Sequence, residues 1–253
     1  MKFDELENKM RVYETVADYS VLPSIYMVAR LDGKGFTKLT KTTFNKPFDD
    51  LFNHHMRTVV RALILDHGFS FIYGYTQSDE ISLLFNIKED TFNRKLRKLN
   101  SVLAGIASME FTYTSKLKGS FDCRICQLPT IELVQDYFSW RQEDAYRNSI
   151  NAYIYWLLRN SNYSARKATS LLNGLNKNSK LELLLSKGIN FNSVEPWHKR
   201  GVEFYFNTYM KEGWNPIIKE TTLTLRKELI ENDKLTFGQE YRDFIKNLVI
   251  SYE

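Results

Sequence analysis

An α+β fold of split β-α-β-β-α-β order, followed by a mainly helical extension, is what the sequence predicts. Three observations predict it. Short β-prone runs alternate with two long amphipathic stretches before Thr130, turn residues separate the runs, and after Thr130 the patterning becomes helical and rich in aromatics.

The elements follow in chain order. Residues 25–31, Ile-Tyr-Met-Val-Ala-Arg-Leu, are mostly apolar and end at the turn signal Asp32-Gly33. From Pro47, the residues Phe48, Leu51, Phe52, Met56, Val59, Val60 and Leu63 recur mostly at three- and four-residue steps, with Asp49 and Asp50 in the first turn and Gly68 closing the helix. Residues 69–75 read as a second strand, Thr76-Gln77-Ser78 as a turn, and Glu80 to Asn86 as a third strand. Phe92, Leu96, Leu99, Leu103, Ile106, Met109 and Tyr113 mark a helix over 91–113, and Arg124 to Leu128 a fourth strand stopped by Pro129. Helical patterns then follow over 131–159, at Leu181 to Leu185, and twice within 219–250 around Asn232-Asp233. The partition is residues 1–130 as one compact body and 131–253 as a mainly helical extension packed on it.

This order is that of ferredoxin-like folds. Right-handed crossovers set the first and third strands side by side and antiparallel. Asp32, ending the first strand, then meets Asp79, at the start of the third.

The 253 residues are 43% hydrophobic and 26% charged, which excludes collagen-like, low-complexity and wholly disordered classes. No run approaches the 18 or so apolar residues of a membrane span. Residues 1–7 lack the apolar core of a secretory signal, and two cysteines make no disulfide scaffold. A cytoplasmic location is the expectation. Thirty-five Lys+Arg against thirty Asp+Glu give +5, too little to prove nucleic-acid binding. The distribution says more: Lys34, Lys38, Lys41 and Lys46 cluster without an acid, and five basic residues fall between Lys88 and Lys98.

Asp32 and Asp79 are the main candidates for chemistry. Two carboxylates at one sheet end, with lysines nearby, suit a pair of Mg²⁺ ions about 3.5–4 Å apart that share their coordination with phosphates. Gly33 and Gly35 let backbone N–H groups approach a triphosphate. A plain turn at Asp32-Gly33 and a cap at Asp79 are the competing structural readings. Glu80, next to Asp79, points to the opposite face if strand geometry already holds there. Ser78 either holds the turn or bonds a phosphate.

Arg30-Leu31-Asp32-Gly33-Lys34-Gly35-Phe36, Phe44-Asn45-Lys46-Pro47 and Tyr75-Thr76-Gln77-Ser78-Asp79-Glu80 resemble the tRNA-histidine guanylyltransferase family. Phe121-Asp122, the run Tyr137 to Asp144, and Lys199-Arg200-Gly201 resemble further motifs in the same order. The resemblance implies a polymerase-palm fold and nucleotide addition at an RNA 5′ end in the 3′–5′ direction. It implies Asp32 and Asp79 as metal ligands with the Gly33 carbonyl, and Lys46, Asp32, Asp79 and Glu80 as catalytic residues. Gly33, Lys34, Gly35, Phe36, Ser78, Lys95 and Lys98 would hold the nucleotide. Arg94, Lys98, Arg141, Asn148, Lys199 and Arg200 would hold RNA. Two Mg²⁺ ions, GTP and ATP as substrates, tRNA as partner and a homotetramer complete the set.

One departure shapes the substrate expectation. Where eukaryotic members carry His-Ile-Asn-Asn-Leu-Tyr-Asn, this chain reads Tyr146-Arg147-Asn148-Ser149-Ile150-Asn151-Ala152. It resembles the guanylyltransferase-like branch, template-directed enzymes that repair 5′-truncated tRNAs. The alternative is strict tRNA-histidine guanylyltransferase activity.

A rival of another class is a non-catalytic RNA-binding module, in which Phe69, Phe71, Tyr73 and Tyr75 share one strand face for base stacking. Their sequence lacks the RNP1 pattern. A GGDEF-type cyclase would need a double glycine where Gln77-Ser78-Asp79-Glu80-Ile81 stands. Cys123 and Cys126 read as structural, because their odd spacing sends the sulfurs to opposite strand faces. No histidine has ligand spacing. Tyr137, Trp140, Tyr153 and Trp156 read as helix-packing or oligomer-interface residues.

Overall fold

Every second residue of β1 (Tyr26–Gly33) turns to a different hydrophobic layer, and that alternation organises the molecule. The computed structural model describes residues 2–215 and 219–253. On one face of the sheet, Met27, Ala29 and Leu31 join the side chains of α3 (Asp50–Leu65) and α4 (Leu96–Ser115). On the other, Tyr26 and Val28 join α5 (Ile131–Asn160) and α9 (Gly238–Ile250). The result is a three-layer sandwich of helices, sheet and helices.

The remaining strands are β2 (Phe71–Gln77), β3 (Glu80–Phe85), β4 (Phe121–Leu128), β5 (Val202–Asn215) and β6 (Glu220–Asn232). The sheet order is β4-β1-β3-β2-β5-β6, antiparallel throughout. The first four strands carry the expected ferredoxin-like order, with β1 between β3 and β4. Asp49 caps α3 by accepting from the Phe52 N–H at 2.9 Å, and Thr130 caps α5 through the Leu133 N–H at 3.3 Å.

Several expectations are corrected. The helix expected from residue 91 begins with a short 3₁₀ turn, Thr91–Arg94, whose last three residues have positive φ, and α4 proper starts at Leu96. The first of the two helical patterns expected within 219–250 is strand β6, paired with β5 in a long hairpin. Helices α1 (Phe3–Thr15), α2 (Phe36–Thr43) and α6 (Ala165–Asn173) lie where none was expected. Leu181 to Leu185 lies within α7 (Lys177–Ser186), and α8 is a short helix at Pro196–Arg200.

The aromatic face that an RNA-binding sheet would need does not form. A register shift between Phe71 and Tyr73 interrupts the alternation of β2. Phe69 and Phe71 therefore join the α3–α4 layer, while Tyr73 and Tyr75 join the α5–α9 layer, and all four are buried. Cys123 and Cys126 do face opposite layers, and burial pushes the Cys123 thiol up to about 12, far from thiolate chemistry. Among the described residues, no helix is long and apolar enough to cross a membrane.

Candidate active site

The two-residue loop Ser78-Asp79 between β2 and β3 brings Asp79 against the end of β1. Ser78 takes a left-handed backbone (φ 54°), and its hydroxyl donates to Asp79 Oδ1 at 3.1 Å. The Gly33 N–H donates to the Asp79 carbonyl at 3.1 Å, and Asp32 pairs with Glu80 across β1 and β3. Asp32, Gly33, Ser78, Asp79 and Glu80 thus meet at one end of the sheet.

Gly33 is required by this approach. A Cβ there would lie 2.5 Å from the Phe36 ring and 2.9 Å from Asp79 Cβ, and Phe36 is locked among Phe52, Phe111 and Phe121. Gly33→Ala is expected to cost about 1–3 kcal/mol of stability and to displace Asp79. A thermal melt run beside a nucleotide-incorporation assay checks this; wild-type behaviour in both would remove the steric role.

Glu80 occupies Asp32's face and is clamped. Arg30 Nη2 donates to its Oε2 at 2.6 Å, while Arg141 donates from Nε to Oε1 at 2.6 Å and from Nη2 to Oε2 at 3.0 Å. Burial pushes the Glu80 carboxyl up, and the two guanidinium groups pull against it. Arginines thus engage both oxygens of Glu80, the residue expected to be catalytic. Its being held on Asp32's face also fixes the end of β1.

Asp32 and Asp79 have no ion-pair partner among the described residues. Burial, then the neighbouring charge of Asp32, raise the Asp79 carboxyl above its ordinary range, while its own N–H and Ser78 act in the opposite sense. Two carboxylates lining one cavity suit Mg²⁺, which takes one or two carboxylates plus substrate phosphates.

Two cavities meet at Ser78 and Asp79, with Pro47 and Phe48 in the wall common to both. The first, about 340 Å³, holds Arg30, Asp32, Glu80, Asp144 and Asn148. The second, about 510 Å³, is lined by α2, the loop from Phe44 to Asp49, Trp156 and Arg159. Lys46 Nζ donates to Thr40 Oγ1 at 2.6 Å in the second cavity. Burial pulls the Lys46 ammonium down, while the charges of Asp79 and Asp49 hold it up. Gly35 precedes α2 with φ 74°, so the first-turn N–H groups of that helix form an anion-attracting end. Lys34 is exposed there, and the Phe36 side chain is core, leaving only its backbone for a ligand.

Other expected residues are not brought to the site. Lys95 and Lys98 begin α4, and Lys95 bridges to Ser20 and binds Asp18, beside the start of β1. Asp32 is at the other end of β1, about 20 Å away by strand rise, so within one chain these lysines cannot contact a nucleotide at Asp32. Arg94 is buried, donating to the Ile25 and Ile87 carbonyls. Arg141 is buried in the Glu80 clamp and also binds Asp144 at 2.9 Å. Arg200 donates to Gln142 and Glu143, both at 2.9 Å, and Lys199 to the Asn192 carbonyl at 2.9 Å. Of these four expected RNA contacts, Arg94 and Arg141 are buried against internal partners, while Lys199 and Arg200 stay partly exposed. Asn148 does line the first cavity, bonded to Asp144.

The sequence reading missed Arg30 and Asp144, while His198 takes the packing role expected of it. Arg30 was findable, standing two residues before Asp32 and hence on its face. His198 stacks on Phe48 at 4.5 Å with its Nδ1 2.6 Å from the Tyr153 hydroxyl, and burial pulls it down to about 4, so it is neutral at pH 7.

Residues 7–129 match the family model for tRNAHis guanylyltransferase (Thg1), and residues 132–246 match the Thg1 C terminal domain. The chain belongs to the Thg1 family. The tRNA(His) guanylyltransferase of Debaryomyces hansenii is 32% identical over 195 residues, 72% of this chain and 73% of that one. Two solved structures of a bacterial Thg1-like protein share 25% identity. One, in complex with ATP, has a TM-score of 0.77 over 96% of this chain and 98% of its own. The other, in complex with GTP, has a TM-score of 0.74 over 97% and 99%. As a Thg1 family member the chain is a nucleotidyltransferase.

Proposed function

We propose that this chain is a template-directed 3′–5′ nucleotidyltransferase that restores missing nucleotides at the 5′ ends of truncated tRNAs. The observation that carries the reading is the junction of two cavities at Asp79, with Asp32 lining one and Lys46 the other. One cavity suits an incoming nucleotide and the other an RNA 5′ end. The reaction is attack by the nucleotide 3′-hydroxyl on an activated 5′ phosphate, forming a phosphodiester and releasing pyrophosphate or AMP.

Asp32, Asp79 and the Gly33 carbonyl would hold two Mg²⁺ ions, which supply charge neutralisation for the attacking and leaving oxygens. The remaining work falls to this chain's own groups. Lys46 balances phosphate charge from within its cavity, the amino end of α2 receives a triphosphate, and Glu80 with its two arginines keeps Asp32 in register. Complexes of the bacterial Thg1-like protein with GTP and with ATP support both triphosphates as substrates. The division at residue 130 into a catalytic palm and an RNA-binding or oligomerising part, a homotetramer and a cytoplasmic location belong to the same proposal.

Tyr146, where eukaryotic members carry histidine, favours repair over tRNA-histidine specificity. The names of the curated relatives favour the specific activity. Labelled-nucleotide incorporation into a tRNA lacking its first 5′ nucleotide, with Mg²⁺, beside full-length tRNA-histidine and an Asp32→Ala control, separates them. Extension of the truncated tRNA to a templated end is the expected result. Addition confined to tRNA-histidine selects the specialised role, and no extension of any RNA rejects both.

A further inference from the structure

A cavity of about 440 Å³ lies between α5 and α7, outside the two that meet at Asp79. Its wall includes Trp140, Tyr146, Arg147, Asn151, Lys177 and Lys180. Trp140 is 54% exposed, so helix packing, one of the two roles expected of it beside an oligomer interface, does not account for it within one chain. Its ring is nonetheless fixed, with the Arg141 guanidinium 4.3 Å and that of Arg30 5.8 Å from its centre and Tyr137 against its edge.

The charge balance of this cavity is positive. Its two acids are already neutralised: Glu143 pairs with Arg200, and Asp144 with Arg141 and Arg147. Lys177 and Lys180 have no carboxylate partner among the described residues, Lys177 resting over the Tyr146 ring at 4.5 Å. Asn151 Oδ1 is buried and lacks a hydrogen-bond partner. A fixed exposed indole, two unpaired ammonium groups and an orphan amide acceptor match the three parts of a nucleotide: a stacking face, a phosphate and base N–H groups. The volume falls in the range of small-ligand pockets.

Position selects the source of that nucleotide. Asp144 lines both this cavity and the one containing Asp32. The unpaired template strand opposite a 5′ end held at Asp32 can therefore pass over Asp144 onto Trp140. We propose that this cavity binds one nucleotide of a single-stranded RNA segment adjoining the reacting end, stacked on Trp140 with its phosphate at Lys177 and Lys180. The proposal rests on the reading of the chain as an RNA 5′-end enzyme.

Steady-state extension of the truncated tRNA tests it in Trp140→Ala, Trp140→Phe and the double variant Lys177→Ala/Lys180→Ala. Loss of a stacking platform should raise KM for RNA about tenfold in Trp140→Ala while leaving KM for the triphosphates where it was, and Trp140→Phe should recover most of the loss. The double lysine variant should flatten the salt dependence of RNA binding by about 0.7 in log–log slope, because one phosphate charge is no longer neutralised. An unchanged KM for RNA in Trp140→Ala overturns the proposal. A rise confined to KM for the triphosphates assigns the cavity to a free nucleotide and overturns the RNA assignment. If the wild-type protein extends no RNA, the function reading fails by itself. Fluorescence anisotropy of a labelled single-stranded oligoribonucleotide then judges the cavity separately, and equal binding by wild type and Trp140→Ala sinks it.

Discussion

Asp79→Asn is expected to lower nucleotide incorporation by about a thousandfold or more, the scale of several kcal/mol of lost charge stabilisation, while leaving a protein that melts higher at pH 7. Both effects come from one carboxylate. Burial and the charge of Asp32 raise the Asp79 carboxyl in the folded state. A raised folded-state value means that the folded form holds the proton more tightly than the unfolded chain does. The stabilising contribution is complete below the ordinary aspartate range and is lost as pH climbs through the raised value. At neutral pH the wild type therefore carries a penalty that the neutral asparagine lacks. The difference in melting temperature should close as the pH is lowered towards 4. Added Mg²⁺ should raise the melting temperature of the wild type by mass action, and that of Asp79→Asn much less. Retained activity in Asp79→Asn would remove the carboxylate from metal binding, and an equal Mg²⁺ response in both proteins would move the ions elsewhere.

Arg141→Met is expected to destabilise the fold by about 3–5 kcal/mol, because it leaves Glu80 buried with half its partners. For a chain of this size that is a fall in melting temperature of about 6–20 °C. The Glu80 and Arg141 side chains are only 13% and 6% exposed, so solvent cannot replace the missing guanidinium. An RNA-contacting arginine would behave differently, weakening tRNA binding at unchanged stability. Scanning calorimetry with a tRNA-binding titration on the same samples distinguishes the two, and an unshifted melt would refute the clamp.

The four-stranded centre of the sheet and the meeting of Asp32 with Asp79 were legible because both depend on strand alternation and crossover handedness alone. Glu80 exposes a limit of the same logic. Alternation was applied across the loop to put Asp79 and Glu80 on opposite sides, yet the arginines that claim Glu80 arrive from β1 and α5. Arg141 and Arg200 were assigned to RNA because a guanidinium in a motif looks the same whether it meets a phosphate or an internal carboxylate. Lys95 and Lys98 were misplaced for a reason of length. The twenty residues of α4 span about 30 Å, which puts its start at the far end of the sheet when its finish feeds β4 beside Gly33. The β5–β6 hairpin escaped detection because its outer part, Tyr209 to Trp214 on β5 and Leu223 to Leu225 on β6, is exposed on both faces and carries no alternating burial. Helix α1 likewise buries no residue, so no packing signal marks it.

Pairing of Tyr73 with Tyr205 has a consequence for biosynthesis. The ribosome delivers residues 1–128, with both carboxylates and the first four strands, well before the partner of β2 exists. Until β5 emerges, β2 is an uncovered strand edge with unsatisfied backbone groups, and such edges recruit other chains. The C-terminal part that carries β5 thus serves the N-terminal part as a seal as well as a neighbour. A nascent chain stalled after Leu128 would carry both carboxylates and still be a substrate for chaperones, because its sheet closes only once β5 is made.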